Sequence, residues 1–285
     1  MNYKYSTSPQ RPKKCELLHD LLEENTTTVL EENPLFDHIS IIQPQKRYDY
    51  SCFRKILEKH SSCKELFEKH GLANDGVYYL QLNKSSEIYQ AYCSKNTYAC
   101  GEGAWTLVMK LFGNENIFEY DSPLWSNTKT LHADGLYNDK TEYNVKLASY
   151  HNTPFTKICL GMKKVRGAEA NFIVLNYTAR SLYNVIADGK YRATNAGRAK
   201  WMSLVDNAVL QPHCNMEGFN LSLGSKTYPL LLRIGLVGNN EDDCRTPDSL
   251  LGFGFIKGKS KWSSGNYRDL RLSVKTKTFG YILVQ

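Results

Sequence analysis

The chain has no run of about 18 apolar residues, the minimum for a membrane-spanning helix. Its richest apolar stretch, Tyr228 to Gly238, is interrupted by Arg233. It has no C-x2-C pair, and no closely spaced histidine pair accompanies its cysteines, so the common zinc patterns are excluded. No G-x-S-x-G turn and no H-E-x-x-H helix is present. His132 and His151 lie near Asp134 and Asp139 without forming a catalytic motif, so no enzymatic activity is expected. Positive charges are scattered among acidic neighbours, with no basic run interleaved with aromatics, and this argues against a nucleic-acid partner. The basic balance also argues against mineral nucleation on dense acidic clusters. No internal repeat or low-complexity tract is visible.

What remains is an ordinary globular composition with two biases. Hydrophobic residues make up 41% and charged residues 23% of 285, enough for one large domain with a buried core. The first bias is aromatic: 19 tyrosines lead a 12% aromatic share, suited to half-buried strands and to saccharide surfaces alike. The second is charge, a net +7 with a pI of about 8.8. Eight cysteines and four N-x-[ST] sequons, at Asn25, Asn83, Asn176 and Asn220, together favour the secretory route and an extracellular location. The opening Met-Asn-Tyr-Lys-Tyr-Ser carries no apolar leader, and the expectation is that a leader has been removed.

Residues 1 to 14 are polar and read as a tail. From Cys15 the spacing Leu17, Leu18, Leu21, Leu22 predicts a short amphipathic helix whose apolar face needs the main domain or a second chain as partner, which leaves an oligomer open. Phe53, Ile56 and Leu57 predict a second helix over Tyr50 to His60. Residues 1–60 are therefore read as a tail and helical lobe, and residues 61–285 as a strand-rich domain. Trp105, Leu107, Met109 and Leu111 alternate with Thr106, Val108 and Lys110, the pattern of a strand. Phe172 to Asn176, Tyr228 to Val237 and Phe279 to Val284 read as further strands. Long polar loops are expected at Asn114 to Tyr150 and Lys257 to Lys277, where a functional site should be sought.

The strongest chemical candidate is the stretch Gly238 to Ser249. Within it Asn239, Asn240, Glu241, Asp242, Asp243 and Asp248 offer the hard oxygens that calcium takes six to eight at a time. Asn239, Asn240, Asp242, Asp243 and Asp248 are the expected ligands. The other reading is an acidic turn facing solvent.

Several strings together resemble a known family. They are Asp75-Gly76-Val77-Tyr78-Tyr79-Leu80, Ile88-Tyr89-Gln90-Ala91-Tyr92-Cys93 and Cys100-Gly101-Glu102-Gly103-Ala104-Trp105-Thr106, followed by the Asn239-Asn240-Glu241 loop and the closing Gly280-Tyr281-Ile282-Leu283-Val284-Gln285. They resemble fibrinogen-related C-terminal domains and intelectin lectins, with a likeness to the cnidarian branch known from coral skeletal organic matrix proteins. The resemblance covers residues 60 to 285. It implies an α+β fold with a central antiparallel sheet and long loops, a calcium ion at the acidic loop, and glycans or extracellular matrix components as partners.

It implies a carbohydrate surface at Trp262, Asn266, Tyr267 and Asp269, beside that loop. The histidines that read glycans in intelectins are replaced here by Asp248 and Ser249. The resemblance also implies disulfides between Cys63 and Cys93 and between Cys214 and Cys244. Cys100 and Cys159 both sit in family-like strings as a candidate pair, Cys15 and Cys52 remain for the N-terminal lobe, and eight cysteines leave 105 connectivities open. Two functions follow: calcium-dependent glycan recognition, or a structural matrix protein without a small ligand.

Overall fold

The structure is a computed structural model that describes residues 30–33, 38–41, 60–71, 74–95, 98–133, 142–164, 169–269 and 274–285. The chain divides into two compact units, Met1–Glu58 and Lys59–Gln285. In the first, strands β1 (Leu30–Asn33) and β2 (His38–Ile41) pair antiparallel. The helices expected around Leu17 and from Tyr50 lie outside the described residues, His60 excepted, as do Cys15, Cys52 and Asn25.

The second unit is sheet-rich α+β. It opens with the helix Cys63–His70, which the Ser62 hydroxyl caps by accepting from the Glu65 N–H, and which ends at Gly71. This helix buries Cys63, Leu66 and Phe67. The strands that follow are β3 (Gly76–Leu80), β4 (Tyr89–Ser94), β5 (Trp105–Phe112), β6 (Val145–Lys146), β7 (Phe155–Lys164) and β8 (Asn171–Ala179). After these come β9 (Arg192–Ala193), β10 (His213–Gly224), β11 (Pro229–Asn239), β12 (Ser249–Lys257), β13 (Ser260–Arg268) and β14 (Val274–Val284). They form one 12-stranded antiparallel sheet in the order β3-β4-β5-β14-β13-β12-β11-β10-β9. β6 pairs with β5, and β7 joins β14 to β8.

β14 is the hinge of this arrangement. Its first part, Val274 to Lys277, pairs with β13, while Phe279 to Val284 runs between β5 and β7. The strands near it are buried on both faces: every residue of β12 is buried, and so is every residue of β5 up to Leu111. The alternation read from Trp105 to Leu111 thus separates two buried faces rather than a core face from a wet one. Lys110, on the face expected to be polar, is 1% exposed. One cluster around Trp125, Tyr150, Trp201 and Phe253 forms the main core. A second, around Phe255, Trp262 and Tyr267, lies at the β11–β13 end.

Two of the sequence readings change. The expected loop from Lys257 to Lys277 is largely strand: β12 turns through Gly258 and Lys259 directly into β13, with Lys257 opposite Ser260. The expected loop from Asn114 to Tyr150 carries a 3-10 turn at Pro123–Trp125, β6 and the start of the helix Ser149–Asn152, and it packs Phe118 and Trp125 fully into the core.

Three disulfides join Cys63 to Cys93, Cys100 to Cys159 and Cys214 to Cys244, and no described cysteine is free. They fit a protein of an oxidising, extracellular compartment. Among the described residues no helix is long and apolar enough to cross a membrane.

Candidate functional site

The acidic loop follows β11 and is held to β10 by Cys214–Cys244 and by the Gly224 N–H donating to the Arg245 carbonyl at 2.9 Å. Its expected ligands do not converge. Asn239 is fully buried; its amide donates to the Asp243 carbonyl at 2.8 Å and its oxygen accepts from the Asn240 N–H at 2.9 Å. Asn240 turns to Glu241 and Gln211. The Asp243 carboxylate accepts from the Arg245 guanidinium at 3.0 Å and from its backbone N–H at 2.9 Å, and these bonds hold it below the usual carboxylate range. Asp242 is exposed. Asp248 faces Lys257, 3.6 Å away.

Calcium needs oxygens aimed at one point about 2.3–2.6 Å away. Here two of the three carboxylates expected as ligands are turned to built-in cations, and the best-placed amide oxygen is spent on backbone. In this arrangement the loop's oxygens are not gathered on one point. Among the described residues no group of three or more His, Cys, Asp or Glu side chains is placed to hold a metal.

The expected carbohydrate residues are likewise redistributed. Asn266 is fully buried in β13, donating to the Val209 and Leu250 carbonyls and accepting from the Val209 N–H at 2.8 Å, so its amide is structural. Trp262 and Tyr267 are 8% and 4% exposed, their rings 5.1 and 6.4 Å from Phe255. Buried rings of this kind offer no stacking face to a sugar. Asp269 does remain at the surface, and its backbone N–H donates to the Asp248 carbonyl at 2.8 Å. The end of the acidic loop and the end of β13 thus meet.

The exposed aromatic at this meeting point is Tyr228, 47% exposed, at the entry to β11. Its hydroxyl donates to Asp269 Oδ2 at 2.6 Å. The Lys257 ammonium sits 4.6 Å from the ring centroid. Gly258, at φ 56°, lies so close that a Cβ there would fall 2.7 Å from Tyr228 Cε2. The ring is clamped at its tip, backed by a cation and a glycine, and open to water over the rest. Its hydroxyl is raised above the ordinary phenol range, first by the bond to Asp269 and then by burial.

Lys257 is 4% exposed; it donates to the Pro247 carbonyl at 2.7 Å and is paired with Asp248. Burial lowers its pKa, while Asp248 and Asp269 oppose that shift. Sequence reasoning missed both Tyr228 and Lys257. The signals that could have found them are the Tyr-Pro entry to a strand and the Lys-Gly-Lys turn.

Elsewhere, titratable groups serve the fold. Lys146 is fully buried, donating to the Asn127 carbonyl at 2.7 Å and to Asn127 Oδ1 at 3.0 Å, and burial lowers its pKa to about 8. The His132 ring bonds the Asn144 carbonyl oxygen, and the His151 ring contacts Asn152. Asp134 and Asp139 lie outside the described residues.

The described sequons divide. Asn176 is exposed on β8. Asn83 sits in an exposed turn with its oxygen on the Ser85 N–H. Asn220 is 1% exposed, its amide donating to Val185, Ile186 and Lys190 carbonyls and its oxygen accepting from Arg233, so the folded chain leaves no room for a glycan there. In comparison with known proteins, the chain matches no family model and no curated protein.

Proposed function

We propose that this chain is a secreted, non-catalytic recognition protein with a fibrinogen-related core, and that it binds a saccharide against the open face of Tyr228 with Asp269 beside it. The observation that carries this reading is the clamped, half-exposed ring. Aromatic faces stack on the apolar faces of sugars, and an immobilised ring loses little entropy on binding. A carboxylate alongside supplies an acceptor for sugar hydroxyls.

The family part of the reading is supported by the pairing of the resembling strings. The DGVYYL and YQAYC segments form the adjacent antiparallel strands β3 and β4, and the G-x-G-x-W-T segment leads into β5 beside them. Calcium has no part in this reading, because Arg245 and Lys257 engage Asp243 and Asp248.

A glycan array run with calcium and with chelator tests it. Binding is expected in both conditions and should weaken on the order of tenfold or more in Tyr228→Ala, the loss of one stacking contact. Binding that chelator abolishes would return the acidic loop to the centre. A blank array in both conditions would leave the structural matrix reading standing instead.

A further inference from the structure

One basic stretch lies beside Tyr228. Residues 257–277 hold five lysines and two arginines against Asp269 alone, a net charge of +6 in 21 residues. In sequence these cations are spread by alternation. In the fold the described ones lie along three adjacent strands, where Lys275 stands opposite Tyr267 and Lys277 opposite Gly265, and the Trp262 and Tyr267 rings are 6.0 Å apart. Lys259 occupies the β12–β13 turn, and Lys261 and Lys275 are exposed on β13 and β14. The Lys275 and Lys277 ammonium groups lie over the Tyr267 and Trp262 rings, 5.7 and 5.4 Å from their centroids. Acids neutralise only part of this set: Asp248 pairs with Lys257, and Glu119 with Lys261 at 3.1 Å.

From this we infer that the surface along β12–β14, including Lys259, Lys275 and Lys277, binds a sulfated polysaccharide. The inference rests on the reading of the chain as an extracellular recognition protein and names a ligand class for the surface next to Tyr228. A single exposed ion pair contributes little, so such a surface selects a ligand that brings many fixed anions at once and releases their counterions. The disulfides place it where such polymers are found. Single-stranded nucleic acid fits less well: it needs a series of open rings, and here Trp262 and Tyr267 are buried beneath the lysines.

The test is calorimetric titration with heparin from 50 to 500 mM NaCl, alongside fully desulfated heparin and a DNA strand of matched length. Heparin is expected to bind with a logarithmic salt slope of about −3, as for four engaged lysines at the single-strand coefficient, and desulfated heparin to bind at least tenfold more weakly. Lys259→Gln with Lys275→Gln and Lys277→Gln should cost tenfold or more in affinity and flatten the slope to about −1, with melting unchanged. The matched triple Lys84→Gln, Lys129→Gln, Lys190→Gln should keep full binding.

Equal losses in both triples would show diffuse electrostatics and overturn the inference. DNA binding as tight as heparin would overturn the polysaccharide assignment. Absence of heparin binding together with Tyr228-dependent binding on the glycan array would sink this inference and leave the proposed function intact. If both are blank, both fall.

Discussion

Replacing Cys100 and Cys159 together by alanine is expected to cost about 4 kcal/mol of stability, on the chain-entropy account of a cross-link over a long loop. The sequence separation is 59, against 30 for each of the other two bridges among the described residues, so of these three this bond restricts the unfolded chain most. It also acts where the fold is most constrained. Cys100 leads into β5 and Cys159 lies in β7, the two strands that flank the closing half of β14, where Leu283 stands opposite both Leu107 and Cys159. Both sulfurs sit in the cluster of Trp105, Leu107 and Phe279. Urea unfolding of the double variant should show the loss, with a melting temperature lower by roughly 10 °C. A change below about 1 kcal/mol would mean that the two strands are held without the bridge.

Much of the domain can be read from the sequence because local and tertiary signals agree there. Trp105 to Leu111 alternates, and Phe279 to Val284 is a largely apolar run. The stretch from Lys257 to Lys277 misleads because its Gly, Ser and Asn residues read as loop formers. In the fold they answer to close packing. A Cβ on Gly265 would meet the Thr276 carbonyl oxygen at 2.4 Å, Ser264 and Thr278 share a hydroxyl contact at 2.6 Å, and Asn266 bonds the Val209 backbone. Small and polar residues there let strands approach and satisfy buried backbone, which a local reading takes for a turn.

The same limit applies to the site. The resemblance implies Asp269 beside the acidic loop, and its N–H does reach the Asp248 carbonyl, whereas Trp262 and Tyr267 pack against Phe255 with Lys275 and Lys277 over their rings. Charge pairing was equally hidden. The sequence offers Asp243 and Asp248 as metal ligands, and the structure sets Arg245 and Lys257 beside them.

Glu217 gives the second large expected effect. This β10 carboxylate is 9% exposed and accepts from four donors: the Thr194 hydroxyl at 2.5 Å, the Ala196 and Gly197 N–H groups at 2.9 and 2.7 Å, and the Trp201 indole at 2.8 Å. It thereby fixes the whole crossing from β9 to the helix Arg198–Met202, whose Trp201 fills the core. Alanine at this position strands up to four donors at an unsatisfied cost of about 1–3 kcal/mol for each that stays buried. Partial rewetting brings the expected loss to about 4 kcal/mol, near the upper range for a single substitution. Glu217→Gln keeps the shape but turns an amide donor toward some of those N–H groups, and about 2 kcal/mol is expected.

The pH dependence separates charge from shape. Burial alone raises the Glu217 pKa, but the bonds from Thr194, Trp201, Gly197 and Ala196 outweigh it and the folded value lies below the ordinary one. A carboxylate with a depressed folded pKa contributes stability that is present above the unfolded value, about 4.3, and is lost as pH falls through the folded value. The wild-type chain should therefore lose this contribution on acidification below about pH 4, whereas Glu217→Gln has none to lose. Denaturant midpoints measured at pH 7 and pH 3 should show the gap between the two proteins shrinking at the lower pH. A gap of the same size at both would mean that the loss comes from the amide donor introduced by Glu217→Gln, and that the charge of Glu217 does not hold the β9-to-helix crossing in place.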